Sequence, residues 1–338
     1  MSNPERSPQA DALACGEDVV VELVPPREVP LGGLRAMKVR RTLPARSRSL
    51  IGAWCFLDHY GPDLVDESGG MNVPPHPHIG LQTVSWLFTG EIEHRDSTGV
   101  HEIVRPGECN LMTGGRGISH SEISMPGTEV LHGVQMWVAL PDADRATDPG
   151  FQHHVPTALT GDGWEARVFL GSLLGDTSPV HTFTPLLGAE ILLDAGASLE
   201  VPLDDTFEHG FLLDDGELTV THRGGENPVA RAELLYLGTG HCTVTLRAGD
   251  APVRLVVIGG PPFGEEILMW WNFVGRTQDE IETARAEWQA QVTAGVPDGT
   301  PVDDSTLMTD GRFGLVADMH LPPIPAPVMP GVRLRPRS

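Results

Sequence analysis

The sequence predicts an all-β protein with two antiparallel β-barrel domains, a short C-terminal helix and a Pro-rich tail. Three observations support this fold class. Apolar runs of strand length recur along most of the chain and are separated by Gly, Pro, Asn and Asp. A helical pattern occurs only near the C-terminus, and a similar strand–turn–strand segment occurs in each half. Regularly spaced strands without intervening helices are typical of β-sandwiches and β-barrels.

The strand-like runs form two sets. The first begins at Val19 and includes IGAWCFL, TVSWLF and VLHGVQMWVAL, and the second includes HGFLLDD, ELTVTH and PVRLVVIGG. A stretch rich in Asp, Gly, Thr and Pro, from Asp142 to Gly163, separates them. We therefore predict a first domain at 18–150, a second domain at 164–275, and a helix with an extended tail at 276–338.

A weak internal repeat indicates that the two domains are copies of one β-unit. TVSWLFTGEIEH contains Gly90 and HGFLLDDGELTV contains Gly216, and each joins an apolar strand to a second strand through a short turn. Any chain rich in hairpins can show such a similarity by chance. The length of 338 residues, which is enough for two domains, favours duplication.

One helix is predicted over 278–291. Thr277 could cap it, with Glu280 completing a capping box three residues later. The apolar residues of this segment then fall on one face at helical spacing: Ile281, Ala284, Trp288 and Val292. After Gly295 the chain becomes rich in Pro and Gly, so we expect a tail that lies on a surface or moves freely.

Charge and composition exclude several classes of function. The chain has 23 Lys and Arg against 46 Asp and Glu, a formal net charge of −23, so we expect no direct binding to nucleic acid or to anionic membranes. No basic segment followed by an apolar stretch resembles a signal peptide, and no apolar run approaches the roughly 20 residues of a membrane span. The four cysteines are scattered, with no CxxC pair. These features predict a soluble cytoplasmic protein with reduced thiols.

The segment PPHPH carries the sharpest chemical signal. Because successive strand side chains alternate between faces, His76 and His78 point the same way and could coordinate one metal ion together. An isolated His-x-His pair more often arises by chance on a surface strand or in a crowded loop and binds no metal.

A second motif, GGRGISHSE, places His120 and Glu122 two residues apart after a glycine-rich turn. Together with the first pair this makes three imidazoles and one carboxylate. Such a set of nitrogen and oxygen donors suits a divalent first-row metal, Fe(II), Mn, Ni, Cu, Zn or Co, and does not suit Ca or Mg.

These motifs resemble those of the cupin superfamily and, more narrowly, of the pirin family. The resemblance is carried by FLDHYGP, PPHPHIGLQTVSWLFTGEIEHRDS, PGECNLMTGGRGISHSE and the segment WWNFVGRTQDEI that begins at Trp270. It extends from about Val19 to Trp288. The motifs between residues 54 and 122 are highly specific.

The resemblance implies two cupin domains and one set of metal ligands: His76, His78, His120 and Glu122. Ordinary cupins place the carboxylate ligand a few residues after HxH, but this chain has Gln82 and Thr83 there, and neither can supply an anionic oxygen. Ile79 and Gln82 stand where many pirins have Arg and Glu. The departure leaves the substrate open.

The second half has no equivalent ligands. Alignment on the repeated glycines places Pro202 and Asp204 at the positions of the first histidine pair, and Val244 and Leu246 at those of the second motif. Such a set could not hold a first-row metal. We therefore expect the second domain to be structural or regulatory.

Other polar residues remain candidates of lower specificity. His59, Gln82 and Arg116 could line a substrate pocket. For His59, a turn histidine bonded to backbone is an equal alternative, and for Arg116 a solvated loop arginine is the commoner fate. We expect His94 and His101, on neighbouring strands, to be surface or half-buried residues.

The resemblance also implies a function. Some pirins are Fe(II) enzymes with quercetin 2,3-dioxygenase activity, so the expected substrates are a small aromatic flavonol and dioxygen. Glu122 is our candidate catalytic residue and could be a metal ligand, the base that takes the substrate proton, or both. The alternative is an iron-binding regulator that contacts a transcription factor or a metabolic enzyme. A cupin isomerase or epimerase is a third possibility, which the resemblance disfavours.

Overall fold

The computed structural model describes residues 20–30, 37–293, 310–318 and 321–338. Within these ranges the chain forms 26 strands and two helices. The first strand is β1 (Val21–Val24). The predicted all-β architecture with a C-terminal helix is confirmed.

The N-terminal barrel contains two antiparallel sheets and the short helix α1 (Val65–Ser68). Its strands are β2 (Arg27–Pro30), β3 (Lys38–Leu43), β4 (Trp54–Leu64), β5 (Asn72–His78), β6 (Leu81–Thr89), β7 (Ile92–Asp96), β8 (His101–Val104), β9 (Cys109–Thr113), β10 (Ile118–Ser124), β11 (Val130–Ala139) and β12 (Gly150–His154). The larger sheet has the order β12-β9-β6-β11-β4-β3-β2, and the smaller has the order β5-β10-β7-β8.

The C-terminal barrel repeats this plan. Its strands are β13 (Leu159–Gly161), β14 (Trp164–Leu170), β17 (Leu187–Leu193), β18 (Ser198–Pro202), β19 (Glu208–Asp215), β20 (Leu218–His222), β21 (Gly225–Val229), β22 (Leu234–Leu237), β23 (Thr243–Ala248) and β24 (Val253–Gly260), with a hairpin of β15 (Ser172–Leu173) and β16 (Asp176–Thr177) beside them. Its sheets have the orders β1-β22-β19-β24-β17-β14-β13 and β18-β23-β20-β21. After it come β25 (Leu268–Trp270), β26 (Phe273–Gly275) and α2 (Gln278–Thr293).

The strand orders support the predicted duplication. The run β9-β6-β11-β4 of the first barrel corresponds to β22-β19-β24-β17 of the second, and β5-β10-β7-β8 corresponds to β18-β23-β20-β21. The repeated turn glycines have the same conformation, with φ of 91° at Gly90 and 89° at Gly216. A Cβ atom would lie 2.5 Å from the Val130 carbonyl oxygen in the first case and 2.2 Å from that of Pro252 in the second. Only glycine fits both the conformation and the space.

Strand pairing crosses the proposed division of the chain. Strand β1 lies within the range 18–150 but pairs with β22 of the C-terminal barrel, with Val21 opposite Leu237. Strand β13 begins before residue 164 and pairs with β14. The bounds 18–150, 164–275 and 276–338 stay a proposed division of the sequence.

The two barrels share an apolar core between their larger sheets. Trp86 stacks on Phe169 with ring centroids 4.6 Å apart, and Met136 and Ile258 belong to the same buried cluster. The indole N–H of Trp54 donates to the Gly259 carbonyl oxygen at 3.1 Å. Burying a side chain of this size contributes about 1.5–3 kcal/mol to folding stability relative to leaving it exposed. This interface between the larger sheets, called the seam below, therefore stabilises the association of the two barrels.

Helix α2 packs against the hairpin of β25 and β26 and against Ile79 of the N-terminal barrel. It spans Gln278–Thr293, close to the predicted range, and the N–H of Glu280 donates to Thr277 Oγ1 at 3.2 Å. The expected capping box is wrong in one detail, since the Glu280 carboxylate accepts from the N–H of Arg276 at 2.9 Å instead of that of Thr277. Its apolar face is buried as predicted, at Ile281, Ala284, Trp288 and Val292.

The described part of the tail lies along the same barrel. The Ser119 hydroxyl donates to the Phe313 carbonyl oxygen at 3.0 Å, and the N–H of Ile324 donates to that of Pro75 at 2.8 Å. Phe313 is buried against Phe273. These contacts agree with a tail on a surface, while residues 294–309 and 319–320 lie outside the described ranges.

The cysteines within the described ranges form no disulfide. Cys55 and Cys109 are buried and free, Cys242 is exposed and free, and Cys15 lies outside these ranges. Burial raises the pKa of the Cys55 and Cys109 thiols to about 12, so both stay protonated. No helix in the described part of the chain combines the length and apolarity that a membrane crossing requires.

Candidate metal centre

Two adjacent strands of the small N-terminal sheet present the proposed ligands. Strand β5 carries His76 and His78, and β10 carries His120 and Glu122. His120 lies opposite His76 in the antiparallel register. None of the three imidazoles is exposed, and Glu122 is 1% exposed. The spacing of two residues thus places all four side chains inside the barrel.

The structure brings the three histidines into one group. Their ligand atoms lie within 4.8 Å of one another, and His78 Nε2 is 3.1 Å from His120 Nε2. The ring centroids of His76 and His120 are 4.3 Å apart. Burial lowers the pKa of each imidazole well below its usual value, so all three are neutral, the form that binds metal.

Backbone carbonyls determine which ring nitrogen of the first two histidines carries the proton. His76 Nδ1 lies 2.9 Å from the Pro74 carbonyl oxygen, and His78 Nδ1 lies 3.1 Å from that of Asn272. A carbonyl oxygen only accepts, so each Nδ1 must carry the hydrogen. Each neutral ring therefore keeps its lone pair on Nε2, which is the arrangement of a metal ligand oriented by its other nitrogen.

A chain of two further side chains holds His120. His120 Nδ1 is 3.4 Å from His94 Nδ1, and His94 Nε2 is 3.2 Å from Asp96 Oδ2. Because the carboxylate accepts, His94 carries its proton on Nε2 and accepts the Nδ1–H of His120. Burial opposes ionisation of Asp96, but hydrogen bonds from His94 and Thr98 hold its pKa below the usual value. The third Nε2 lone pair is thereby also left for a metal.

His94 and Asp96 are functional candidates that the sequence analysis missed. We expected His94 to be a surface or half-buried residue, but it is 3% exposed and lies opposite Glu122 on β10. Asp96 lies opposite His120 and is 2% exposed. The spacing His-x-Asp was the available signal, since it repeats the period of two that marked the other motifs. His101, in contrast, is an exposed residue as expected.

The Glu122 carboxylate is buried with little hydrogen bonding. Ser85 Oγ lies 3.4 Å from Oε1 but only 2.8 Å from Gln135 Oε1, and Oε2 has no hydrogen-bond partner within the described ranges. Within the described ranges, the ligand atoms that lie within 4.8 Å of one another belong to the three histidines, and Glu122 is not part of that group. A buried carboxylate needs a nearby positive charge or a proton. The three neutral nitrogens that lie together fit a divalent first-row metal, and the unpaired oxygen makes Glu122 a candidate for a fourth ligand.

Two of the lower-specificity candidates lie away from this centre. The Gln82 amide donates to Thr113 Oγ1 at 3.0 Å, and Gln82 shares its strand face with Trp86, which belongs to the core between the barrels. Arg116 forms an ion pair with Asp148, and its side chain is 60% exposed. Arg116 was expected either to line a substrate pocket or to be a solvated loop residue, and the structure shows the solvated loop residue.

His59 belongs to a second polar cluster at the seam of the barrels. His59 Nε2 and His132 Nε2 lie 2.7 Å and 2.6 Å from the same oxygen of Asp214 on β19. Arg40 Nε donates to His59 Nδ1 at 3.4 Å, and Arg254 donates to the other Asp214 oxygen at 3.3 Å. His59 therefore carries its proton on Nε2 and donates it to Asp214. With two guanidinium groups alongside, this cluster is a buried ionic network and not a metal centre.

In the C-terminal barrel apolar residues occupy the equivalent positions. Val201 lies opposite Val244, as His76 lies opposite His120. The predicted counterpart Pro202 is therefore wrong by one position, and Pro202 is exposed whereas Val201 is buried. The connection from β18 to β19 contains residues 203–207, whereas that from β5 to β6 contains only 79–80, so counting back from the turn glycine shifts the alignment. Valine supplies no ligand atom.

Comparisons with known proteins agree with this architecture. The family model described as Pirin matches residues 35–138, and the one described as Pirin C-terminal cupin domain matches residues 188–294. A Pseudomonas aeruginosa protein provisionally named a quercetin 2,3-dioxygenase is 40% identical over 334 residues, 98% of each chain. A pirin-like protein of Caulobacter vibrioides is 35% identical over 263 residues, 75% of this chain and 88% of its own.

Solved structures show the same fold. A quercetin 2,3-dioxygenase from Acinetobacter baumannii matches with a TM-score of 0.81 and 37% identity, covering 93% of this chain and 97% of its own. The Escherichia coli pirin YhhW, in complex with nickel(II), matches with a TM-score of 0.55 and 17% identity, covering 72% of this chain and 100% of its own. At that identity the second likeness concerns the fold alone.

Proposed function

The chain belongs to the pirin family, and on that premise we propose that it is a metal-dependent dioxygenase of the quercetin 2,3-dioxygenase type. Its reaction centre would be formed by His76, His78, His120 and Glu122. The observation that supports this proposal best is the convergence of three neutral imidazoles. Each has Nδ1 near a hydrogen-bond partner, and the ligand atoms of the three rings lie within 4.8 Å of one another.

Fe(II) is the metal we propose for the centre. Three imidazole nitrogens and one carboxylate oxygen also suit Mn, Ni, Cu, Zn or Co. The metal would supply Lewis-acid stabilisation of the substrate oxyanion and the redox chemistry that dioxygen needs. The likeness to named quercetin dioxygenases supports a flavonol as the substrate.

The residues of the chain would handle the proton and the orientation. Glu122 would accept the proton of the flavonol 3-hydroxyl through Oε2, the oxygen that has no hydrogen-bond partner within the described ranges. Trp137 lies edge-on to His78, with ring centroids 5.3 Å apart, and would help to keep water from the reacting groups. Dioxygen would then add across the oxygenated ring, which opens with loss of carbon monoxide.

Oxygen uptake after anaerobic metal loading tests the proposal. The protein is loaded with Fe(II), freed of unbound metal, and mixed with quercetin and dioxygen while oxygen consumption and carbon monoxide are followed. We expect uptake coupled to carbon monoxide release, and neither from His76→Ala, which should lose the metal. A fully iron-loaded protein that consumes no oxygen would contradict the enzymatic proposal.

Two observations favour the alternative of an iron-binding regulatory protein. The three imidazoles are completely buried, as expected of the ligands of a metal ion that stabilises the fold or senses redox state. The net charge of −23 favours a protein partner, such as a transcription factor or a metabolic enzyme, over nucleic acid. Bound iron without turnover, together with a co-purifying protein, would support this function.

We propose the cytoplasm as the location of the protein. The support is indirect and comes from the free thiols of Cys55, Cys109 and Cys242, since secreted proteins more often pair such residues in disulfides. Fractionation of cells with an antibody against the chain would test it.

A further inference from the structure

The C-terminal barrel contains a cavity that the proposed reaction does not use. It has a volume of about 310 Å³ and is bounded by nine residues of the segment 171–187, by residues 202–204 at the end of β18, and by Phe207 and His209. The connection from β18 to β19 corresponds to the one that follows His78 in the first barrel. The cavity therefore lies at the barrel end that carries the metal centre in the other copy.

The polar group that marks this cavity is His209. Its side chain is 1% exposed and lines the cavity, and neither ring nitrogen has a hydrogen-bond partner in the described part of the chain. Buried polar atoms in proteins are nearly always paired, because leaving one unpaired costs about 1–3 kcal/mol. A buried imidazole with both nitrogens unpaired is consequently a candidate for ligand binding.

His209 is a neutral group. Burial, followed by the nearby His241, lowers its pKa to about 4. A neutral imidazole offers one N–H donor and one lone pair. A hydroxyl group, which also donates once and accepts, is its natural complement.

The walls of the cavity offer apolar surface to a ring and no positive charge to an anion. The apolar lining residues include Val180, Leu186, Leu187, Leu203 and Phe207, and no Lys or Arg is among the lining residues. Three hydroxyls also line the cavity, and each already has a partner within the protein: those of Ser172, Ser178 and Thr182. The one carboxylate, Asp204, accepts from the N–H and the hydroxyl of Thr206 through Oδ1, and its negative charge would repel an anion. Anions therefore have no partner here, and the acidic chain as a whole repels them.

We propose that this cavity is a second small-molecule site that binds a neutral phenol with a single ring. The hydroxyl bonds to the His209 imidazole, and the ring packs among the aliphatic side chains and Phe207. A volume near the lower end for ligand pockets suits one ring better than the three rings of a flavonol. The site is separate from the metal centre and does not depend on the proposed dioxygenase reaction.

Binding of p-cresol to the whole protein tests this site. The dissociation constant is measured by ligand-observed NMR for p-cresol, for p-xylene, in which a methyl group replaces the hydroxyl, and for 4-methylbenzoate, which is an anion. His76→Ala serves as the host protein, so that the metal centre does not contribute. We expect p-cresol to bind at least tenfold more tightly than either comparator, about the effect of one hydrogen bond.

Two variants locate the binding. His209→Leu removes the hydrogen-bonding nitrogens at similar volume and should weaken p-cresol binding about tenfold while leaving p-xylene unchanged. Ser172→Trp introduces a large side chain from the exposed hairpin and should abolish binding of both, without altering the barrel core. The proposal is overturned if p-cresol does not bind, if a comparator binds equally well, or if p-cresol binds both variants as it binds the host.

Discussion

At the scale of single residues, the proposed centre depends on where each proton resides. Three histidines have Nδ1 turned towards an acceptor and Nε2 turned inwards, and a carboxylate with an unpaired oxygen lies on the same strand. Each ring is therefore held in the tautomer that a metal requires before the metal arrives. Substitutions that keep the shape but change the charge or the tautomer are the informative ones.

The first prediction concerns Glu122→Gln. Glutamine keeps the shape and one oxygen donor but loses the charge and the basicity. We expect the variant to bind Fe(II) more weakly and, at full occupancy, to turn over 10²–10⁴-fold more slowly, as is typical after loss of a general base. Metal analysis and oxygen uptake on the same sample measure both effects. Turnover at the native rate would show that Glu122 is not the base.

The second prediction concerns the chain Asp96–His94–His120. His94→Phe removes the acceptor that holds the Nδ1–H of His120, while an aromatic ring can still pack against Phe151, whose centroid lies 4.8 Å away. We expect metal affinity to fall about 10–100-fold, the usual effect of removing a residue that orients a ligand.

Chelator competition with Co(II) measures this affinity, and the Co(II) visible spectrum reports on the ligand geometry. His101→Phe is the matched control because His101 lies on the adjacent strand and is exposed. An unchanged affinity and spectrum in His94→Phe would show that His94 only fills space.

At the scale of secondary structure, the turns of the N-terminal barrel depend on glycine for two separable reasons. Gly90 and Gly127 have nearly the same backbone conformation, with φ of 91° and 90°. A Cβ atom at Gly90 would lie 2.5 Å from the Val130 carbonyl oxygen, whereas one at Gly127 would meet no atom within 4 Å. The pair therefore separates backbone strain from steric conflict.

The third prediction uses this pair. Gly127→Ala should lower the free energy of unfolding by about 1 kcal/mol, the strain of a left-handed residue with a side chain. Gly90→Ala should cost about 1–3 kcal/mol more, because the strands must also separate to admit the methyl group. Urea unfolding of both variants gives the difference. Equal losses would mean that the hairpin tolerates the contact.

At the scale of the whole molecule, the two barrels are joined by apolar packing and by the buried network around Asp214. The carboxylate accepts from His59 and His132 of the first barrel and from Arg254 of the second. Burial opposes its ionisation, but the hydrogen bonds from the two histidines lower the pKa of Asp214 well below its usual value. The network therefore contributes to stability while Asp214 is charged.

The fourth prediction concerns Asp214→Asn. The substitution removes the anion that His59, His132 and Arg254 share, although Arg254 keeps its ion pair with Glu190. Breaking a buried network of this kind costs about 3–5 kcal/mol. We expect a marked fall in the melting temperature and separate transitions for the two barrels in calorimetry. Asp215→Asn, at the neighbouring exposed residue, is the control. A melting temperature within a degree of the native value would refute the assigned role.

The fifth prediction concerns how the free energy of unfolding depends on pH through the contact between His59 and Asp214. Burial lowers the pKa of His59, although the hydrogen bond to Asp214 opposes the shift. Its folded-state pKa is therefore below the unfolded value of about 6.5, so the unfolded chain binds the proton first and stability falls as pH drops below that value. Asp214, whose folded pKa is also depressed, adds a further loss below about pH 3.9. Unfolding free energies at pH 7.5 and 5.5 should differ less in His59→Gln than in the native protein, and an equal difference would contradict the assignment.

Features that repeat within one segment could be predicted from the sequence alone. Strand periodicity placed His76 with His78 and His120 with Glu122 on common faces, and the capping residue Thr277 placed the start of α2. The turn glycines indicated the duplication. All of these depend on local backbone geometry, namely the alternation of side chains in a strand and the spacing of a helix.

Contacts between distant segments were decided only by the tertiary structure. The pairing of β1 with β22, the approach of His94 to His120, and the meeting of His59 with Asp214 join residues up to 216 positions apart, as for Val21 and Leu237. Even the counterpart of His76 in the second barrel was misplaced by one residue, because connection length shifts the register without leaving a local pattern. Register and loop length determine which faces meet, and a shift of one residue turns every side chain to the opposite face.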